Sequence, residues 1–223
     1  MEYFDKAYSG AVDVQYFTDE QAIIKRNHDR FDMISTLPSP NKTILDFGAG
    51  VGYFVRECVE NDWFVVGVEQ SEAAMHRAWY RLGVFLFADM WLFKDDRFNI
   101  ITLWDVIEHL EDPKATLTML KEYLAPGGYI VIETANINSL DFHTKRKRWS
   151  FWLMDHYYYY SDKTLKTLLR SIGFTIVDVI DPAKKPKTLK RFFRPLTGLK
   201  GFYYKRKYQT ASNDPIMIVV AKK

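Results

Sequence analysis

Cysteine is almost absent: Cys58 is the one thiol among 223 residues. That excludes an internal disulfide and a cysteine-based metal site. Cys58 falls in a stretch expected to be helical and reads as a buried structural thiol. Long apolar runs are missing too; none approaches the ~20 residues a membrane-spanning helix requires. The opening MEYFDKAYSG has no basic start and no apolar stretch, so no secretory leader is expected and the protein is read as cytoplasmic. Acidic residues are missing from Lys184 to Lys207, where ten Lys/Arg stand among Phe192, Phe193, Phe202, Tyr203 and Tyr204. Residues 1–140 carry 12 Lys/Arg against 22 Asp/Glu, whereas residues 141–223 carry 19 against 6. An acidic front and a basic back point to an anionic partner for the C-terminal part: a phosphate-bearing lipid, the inner membrane surface or nucleic acid. The alternative is a solvated basic face.

What is present is organised around TILDFGAGVGYF, Thr43 to Phe54. Ile44 and Leu45 end in Asp46, followed by Gly48, Gly50 and Gly52 at alternate positions and then a helical pattern. Glycine serves where the backbone must take positive φ or where a ligand must approach the main chain. In open α/β sheets such a turn lies at the carboxyl end of the first strand, where nucleotide-like ligands bind. The spacing D-x-G-x-G-x-G departs from the dinucleotide fingerprint G-x-G-x-x-G. Val65 to Val68 reads as a second buried strand ending at Glu69 and Gln70, about 20 residues past the glycines, where this class of fold places a carboxylate on ribose hydroxyls.

ILDFGAGVGYF, VVGVEQS, FADM, LWDVIEHLEDP and LAPGGYIVIETAN follow one another in the order and spacing of the class I S-adenosylmethionine-dependent methyltransferases, which this chain resembles in register from about Thr43 to Asn136. The resemblance implies an α/β, Rossmann-like doubly wound sheet of seven strands, mostly parallel, with one antiparallel C-terminal strand. One domain is expected over 1–223, with an N-terminal arm and helix over 1–40 and a basic insertion over 181–214. S-adenosylmethionine is the implied cofactor and S-adenosylhomocysteine its product. The residues matching cofactor motifs are Asp46, Gly48, Ala49, Gly50, Gly52, Phe54, Glu69, Gln70, Asp89, Met90, Trp104 and Asp105. Asp89 and Met90 would meet the adenine, and Trp104 the methionine end.

Strands are expected at Phe64–Val68, Val84–Phe87, Phe98–Trp104, Tyr129–Thr134, Gly173–Ile180 and Pro215–Lys222, besides the one before the glycine turn. The fourth, FNIITLW, is nearly all apolar, as a strand buried on both faces should be. A helix capped by Thr18 precedes the sheet and ends before Pro38 and Pro40. An arm holding Tyr3, Phe4, Tyr8, Tyr16 and Phe17 comes before it, and in similar methyltransferases such an arm closes over the cofactor. Ser71 and Ser161 are expected to cap later helices.

The acceptor is expected near HTKRKRWSFWLMDHYYYYSDKTLKTLLRSIGF. Trp149, His156, Tyr158 or Tyr159, and Ser161 resemble a pattern of methyltransferases from bacterial glycan and cell-envelope gene sets, related to the ubiquinone O-methyltransferases. Histidine titrates near neutrality, which suits a base acting on a hydroxyl. His156 is the first candidate base, His109 the second, and His143 a weaker one. No metal-assisted catechol-type site is indicated. The expected reaction is O-methylation of a sugar or glycan-lipid intermediate. A quinone-like small molecule in a pocket lined by Trp149, Phe151 and Trp152, a nucleic acid held by the basic half, and a non-catalytic binding module are the alternatives.

Overall fold

The computed structural model describes residues 19–182 and 215–223. The aromatic arm, Thr18 and nearly all of the basic insertion (183–214) lie outside the described residues. Helix α1 (Glu20–Ile34) leads into strand β1 (Thr43–Phe47), and helix α2 (Tyr53–Glu60) into β2 (Phe64–Val68). Helix α3 (Glu72–Arg77) is followed by β3 (Phe98–Trp104), α4 (Pro113–Tyr123), β4 (Leu124–Ala135) and α5 (Leu140–Lys145). Helix α6 (Asp162–Ser171) and strands β5 (Thr175–Ile180) and β6 (Ile216–Lys222) complete the described chain. The sheet order is β2-β1-β3-β4-β6-β5. Strands β2, β1, β3 and β4 run parallel, and β6 is antiparallel to both β4 and β5.

Alternation along the central strands builds both faces of the core. Leu45, Ile101 and Ile130 face Leu117, Leu120, Leu165 and Leu169 on one side. Their neighbours Ile44, Ile100 and Val131 face Phe31, Ile34, Phe54 and Cys58 on the other. Every residue of β3 is buried, as expected of its nearly all-apolar sequence.

Among the described residues the sheet has six strands, not the expected seven. Val84–Phe87 follows Gly83 (φ +67°) and touches β2 through a single Val68–Phe87 bridge. Val84 and Leu86 pack inward against Val55 and Ala78, while Phe85 stays exposed. Extended pairing stops there because the chain then turns at Asp89, whose Oδ1 accepts from the Trp91 amide at 2.8 Å.

The cap of α1 is Asp19, whose Oδ1 accepts from Ala22 N at 2.9 Å. Ser71 caps α3. Ser161 forms a reciprocal box with Thr164, each side chain bonding the other's backbone amide.

Candidate functional site

The turn after β1 is held from behind by β2. The amides of Gly48 and Ala49 donate to Val68 O at 2.8 and 2.9 Å. The Gly50 amide donates to Glu69 Oε2 at 2.7 Å, and the Ser71 amide to Oε1 at 2.9 Å. Glu69 therefore braces the glycine turn with one oxygen and its own loop with the other. Gly48 has φ +80°, and a Cβ there would lie 2.5 Å from Val106 Cγ2. Gly52 (φ +82°) begins α2, with Val84 Cγ2 at 2.8 Å from where its Cβ would be. Backbone conformation and close packing both demand glycine at these two positions.

Above the turn lies a cleft of about 710 Å³, within the range of small-molecule sites. Asp46, Gly48, Ala49 and Gly50 line it from β1 and the turn, and Phe54 from α2. Glu69 and Gln70 line it from the end of β2; Trp104, Asp105 and His109 do so from the end of β3. The sheet thus brings ten of the fourteen expected site residues to one cleft at the carboxyl ends of its parallel strands. Gly52 lies under the turn. Asp89 is exposed and engaged with Trp91. Met90 packs in the core with Leu45, Val66 and Val68. The expected adenine contacts from Asp89 and Met90 thus fall on residues that do not line the cleft, because the tight turn at Asp89 sends Met90 inward.

Sequence reasoning missed the two arginines that line the cleft. Arg26 and Arg30, one helical turn apart on α1, project to the strand ends and line the cleft. Both donate to Asp105 Oδ2, at 2.7 and 3.0 Å, and both pair with Glu133 on β4. The Arg30 guanidinium also lies over the Trp104 ring, 4.8 Å from its centroid, and Phe54 meets that ring edge-on. Burial pushes the Glu133 carboxyl up, but the two arginines outweigh it and hold it below its ordinary value. Asp105 is pushed up by burial and by the neighbouring Glu133 charge. It is a non-glycine residue at φ +56°, a strain typical of functional turns. Asp46 is buried, accepts from Thr102 Oγ1 at 2.7 Å and is pushed up to about 7 by burial. The i, i+4 spacing of Arg26 and Arg30 was visible in the sequence, but their buried target Glu133 sits in an apolar strand 103 residues beyond Arg30.

The turn Ile107–His109 closes the far wall. Glu108 is buried, and burial followed by the Asp105 charge pushes its carboxyl up to about 8. Its carbonyl accepts the amides of Tyr157 and Tyr158 at 2.8 and 3.3 Å, which stitches the acceptor-side segment to this turn. His109 Nδ1 lies 3.0 Å from Asp155 O and 3.3 Å from Asp155 Oδ2. The His156 ring stands edge-on to His109, centroids 4.6 Å apart, behind the cleft wall. Burial and His109 lower the His156 pKa. From the acceptor-side segment Asp155 and Tyr157 line the cleft. Trp149 is instead the buried centre of an aromatic cluster with Phe142, Phe151 and Trp152, outside the cleft, and His143 lies against Phe142 on α5.

The methyltransferase domain family matches residues 15–179. A ubiquinone biosynthesis O-methyltransferase of Cereibacter sphaeroides is 29% identical over 137 residues, covering 58% of this chain and 54% of that protein. One of Pasteurella multocida is 26% identical over 113 residues, covering 43% and 47%. The chain spans about half the length of the curated relatives it matches. Among solved structures, a SAM-dependent methyltransferase from Archaeoglobus fulgidus superposes with a TM-score of 0.65 at 18% identity, covering 95% of this chain and all of that one. The N-methyltransferase NodS from Bradyrhizobium japonicum, in complex with S-adenosylhomocysteine, gives 0.62 at 14% identity, covering 100% and 97%. At these identities the likeness is one of fold.

Proposed function

The chain belongs to the methyltransferase domain family, and from that premise we propose that it transfers the methyl group of S-adenosylmethionine to a hydroxyl oxygen of a ring-bearing small molecule. The observation that carries the cofactor half is the glycine turn braced by Glu69, which lines the cleft with Gly48, Ala49 and Gly50 and accepts the Gly50 amide at 2.7 Å. A carboxylate has about four acceptor positions, so Glu69 can hold two amides and still accept from ribose hydroxyls. Gly48 to Gly50 would pass beneath the methionine part, and Phe54 with Trp104 would cover it. Bound there, S-adenosylmethionine supplies a methyl group activated by a sulfonium charge. The chain's own work is to orient the acceptor, exclude water and receive the hydroxyl proton. Asp105, locked by Arg26 and Arg30, fixes the floor of the reacting region. We assign the hydroxyl proton to His109, which lines the far wall with His156 packed edge-on behind it.

Oxygen as the acceptor atom is supported by the names of the curated relatives, which are O-methyltransferases. A sugar acceptor is the second reading. It is supported by Tyr157, which lines the cleft and is 62% exposed, a face on which a sugar ring can stack. The test is S-adenosylhomocysteine release with a catechol-bearing phenol and with a panel of nucleotide sugars. Release with the phenol supports the first reading, and release with a sugar alone replaces it with the second. Release with neither, from protein that binds the cofactor, overturns both.

A further inference from the structure

We propose that two copies of this chain pair about a two-fold axis through an aromatic face on the β2 side of the sheet, built from Trp79, Phe85, Trp91 and Leu92. Strand β2 is the edge of the sheet, and Val84–Phe87 lies along it through the Val68–Phe87 bridge. Val84 and Leu86 pack into the core, so alternation turns Phe85 and Phe87 outward. The Trp79 ring meets Phe85 edge-on, centroids 6.4 Å apart; Phe85 meets Phe87 at 5.2 Å, and Phe87 meets Phe93 at 4.8 Å. Trp91 and Leu92 stand beside Phe93 on the same short turn. The face therefore runs without a break from Trp79 to the turn before β3.

Its size fits one side of a protein–protein interface. Trp79, Phe85, Trp91 and Leu92 are 57%, 65%, 69% and 72% exposed. A whole aromatic side chain offers about 150–250 Å², so the three rings leave roughly 300–500 Å² of apolar surface in water, and Leu92 adds to it. A contiguous apolar patch of a few hundred Å² rimmed by polar residues marks an interaction site. A standard interface takes about 800 Å² from each partner, about 56–65% of it non-polar, or roughly 450–520 Å². The rings and Leu92 supply that share. Charge selects the occupant. Between Glu72 and Arg97 four Asp/Glu stand against four Lys/Arg. An anionic bilayer or a nucleic acid calls for an excess of Lys/Arg, and this segment has none. A two-fold axis instead sets the acids of one copy against the bases of the other. None of the four apolar residues lines the cleft, so the pairing leaves the cleft outside the interface.

The experiment is sedimentation velocity of the full chain over a range of concentrations. Interfaces of this size span micromolar to picomolar affinities, so the wild type should be dimeric at about 100 µM. Phe85→Glu and Trp91→Glu each place like charges on both sides of the axis and should raise the dissociation constant roughly tenfold or more. Met154→Glu, at a fully exposed apolar residue of the acceptor-side segment, should associate as wild type. Thermal melts establish that each variant is folded. A monomeric wild type would overturn the proposal, as would a dimer that both Phe85→Glu and Trp91→Glu leave intact. Equal weakening by all three substitutions would make the loss an effect of added charge and overturn it too. Flotation with phosphatidylglycerol vesicles tests the competing occupant: capture of a monomeric wild type, lost in Trp91→Glu, would assign the face to a membrane instead.

Discussion

Gly48→Ala isolates the contact between the glycine turn and the loop after β3. Gly48 has φ +80°, and its added methyl would sit 2.5 Å from Val106 Cγ2 and 3.1 Å from Cγ1. The left-handed conformation costs an alanine about 1–2 kcal/mol. Forcing a methyl into a packed contact adds about 1–3 kcal/mol. The sum, about 2–5 kcal/mol, is a large part of the ~5–15 kcal/mol that stabilises an ordinary domain. At roughly 2–4 °C per kcal/mol for a chain of this size, Tm should fall by about 4–20 °C. Val106→Ala removes both γ carbons and leaves the backbone cost in place. The double variant should therefore recover the packing share, with a coupling of about 1–3 kcal/mol in a double-mutant cycle measured by urea unfolding. Additivity within ~0.5 kcal/mol would refute the reasoning, because it would mean that Val106 does not occupy the space a side chain at position 48 needs.

Other perturbations have equally definite outcomes. Glu69→Ala removes a charged partner of the Gly50 amide and the carboxylate assigned to the ribose, so S-adenosylmethionine affinity measured by calorimetry should drop roughly 10–100-fold, from about 1.5–3 kcal/mol of charge-assisted hydrogen bonding; Gly50→Arg, which puts a long side chain into the cleft, should also lose affinity, and wild-type values in both would remove the assignment. Arg30→Met leaves buried Glu133 with Arg26 alone, and should cost about 2–3 kcal/mol in denaturant unfolding, less than a fully orphaned charge; a change under ~0.5 kcal/mol would show that the pair adds little. Asp46 holds its proton up to about 7 when folded against 3.8 for the ordinary group. The folded state thus binds more protons in that window, and stability should fall as pH rises from about 4 to 7 and level off above. Asp46→Asn should flatten that slope by about 4 kcal/mol at most, and an unchanged slope would mean the carboxyl titrates normally. His156→Ala should lower turnover while leaving S-adenosylmethionine affinity intact, and equal losses of both would make it a structural residue.

The glycine turn and its carboxylate were legible because their causes are local. A strand ending in Asp46, three glycines and a second strand ending in Glu69 can be placed from neighbouring residues alone. The parallel centre was legible for the same reason: β3 is apolar at all but Asn99 and Thr102. The edge was not. Val84–Phe87 has a strand's composition, yet the turns at Gly83 and Asp89 allow it only one bridge to β2. Met90 shows the same limit, since the side of the chain it occupies depends on a turn made by its neighbour. The charged and titratable residues in and behind the cleft wall meet across long separations, Arg26 and Arg30 with Asp105 and Glu133, and His109 with His156. No spacing rule reaches that far. Trp149 stood out as a pocket residue by resemblance, but a large aromatic flanked by Phe151 and Trp152 clusters with them instead.

The most direct measurement is titration calorimetry of S-adenosylmethionine and S-adenosylhomocysteine into the purified chain, with folding checked by thermal melting. One equivalent of each should bind in the micromolar range. A folded sample that binds neither would contradict the assignment of the cleft as a methyl-donor site.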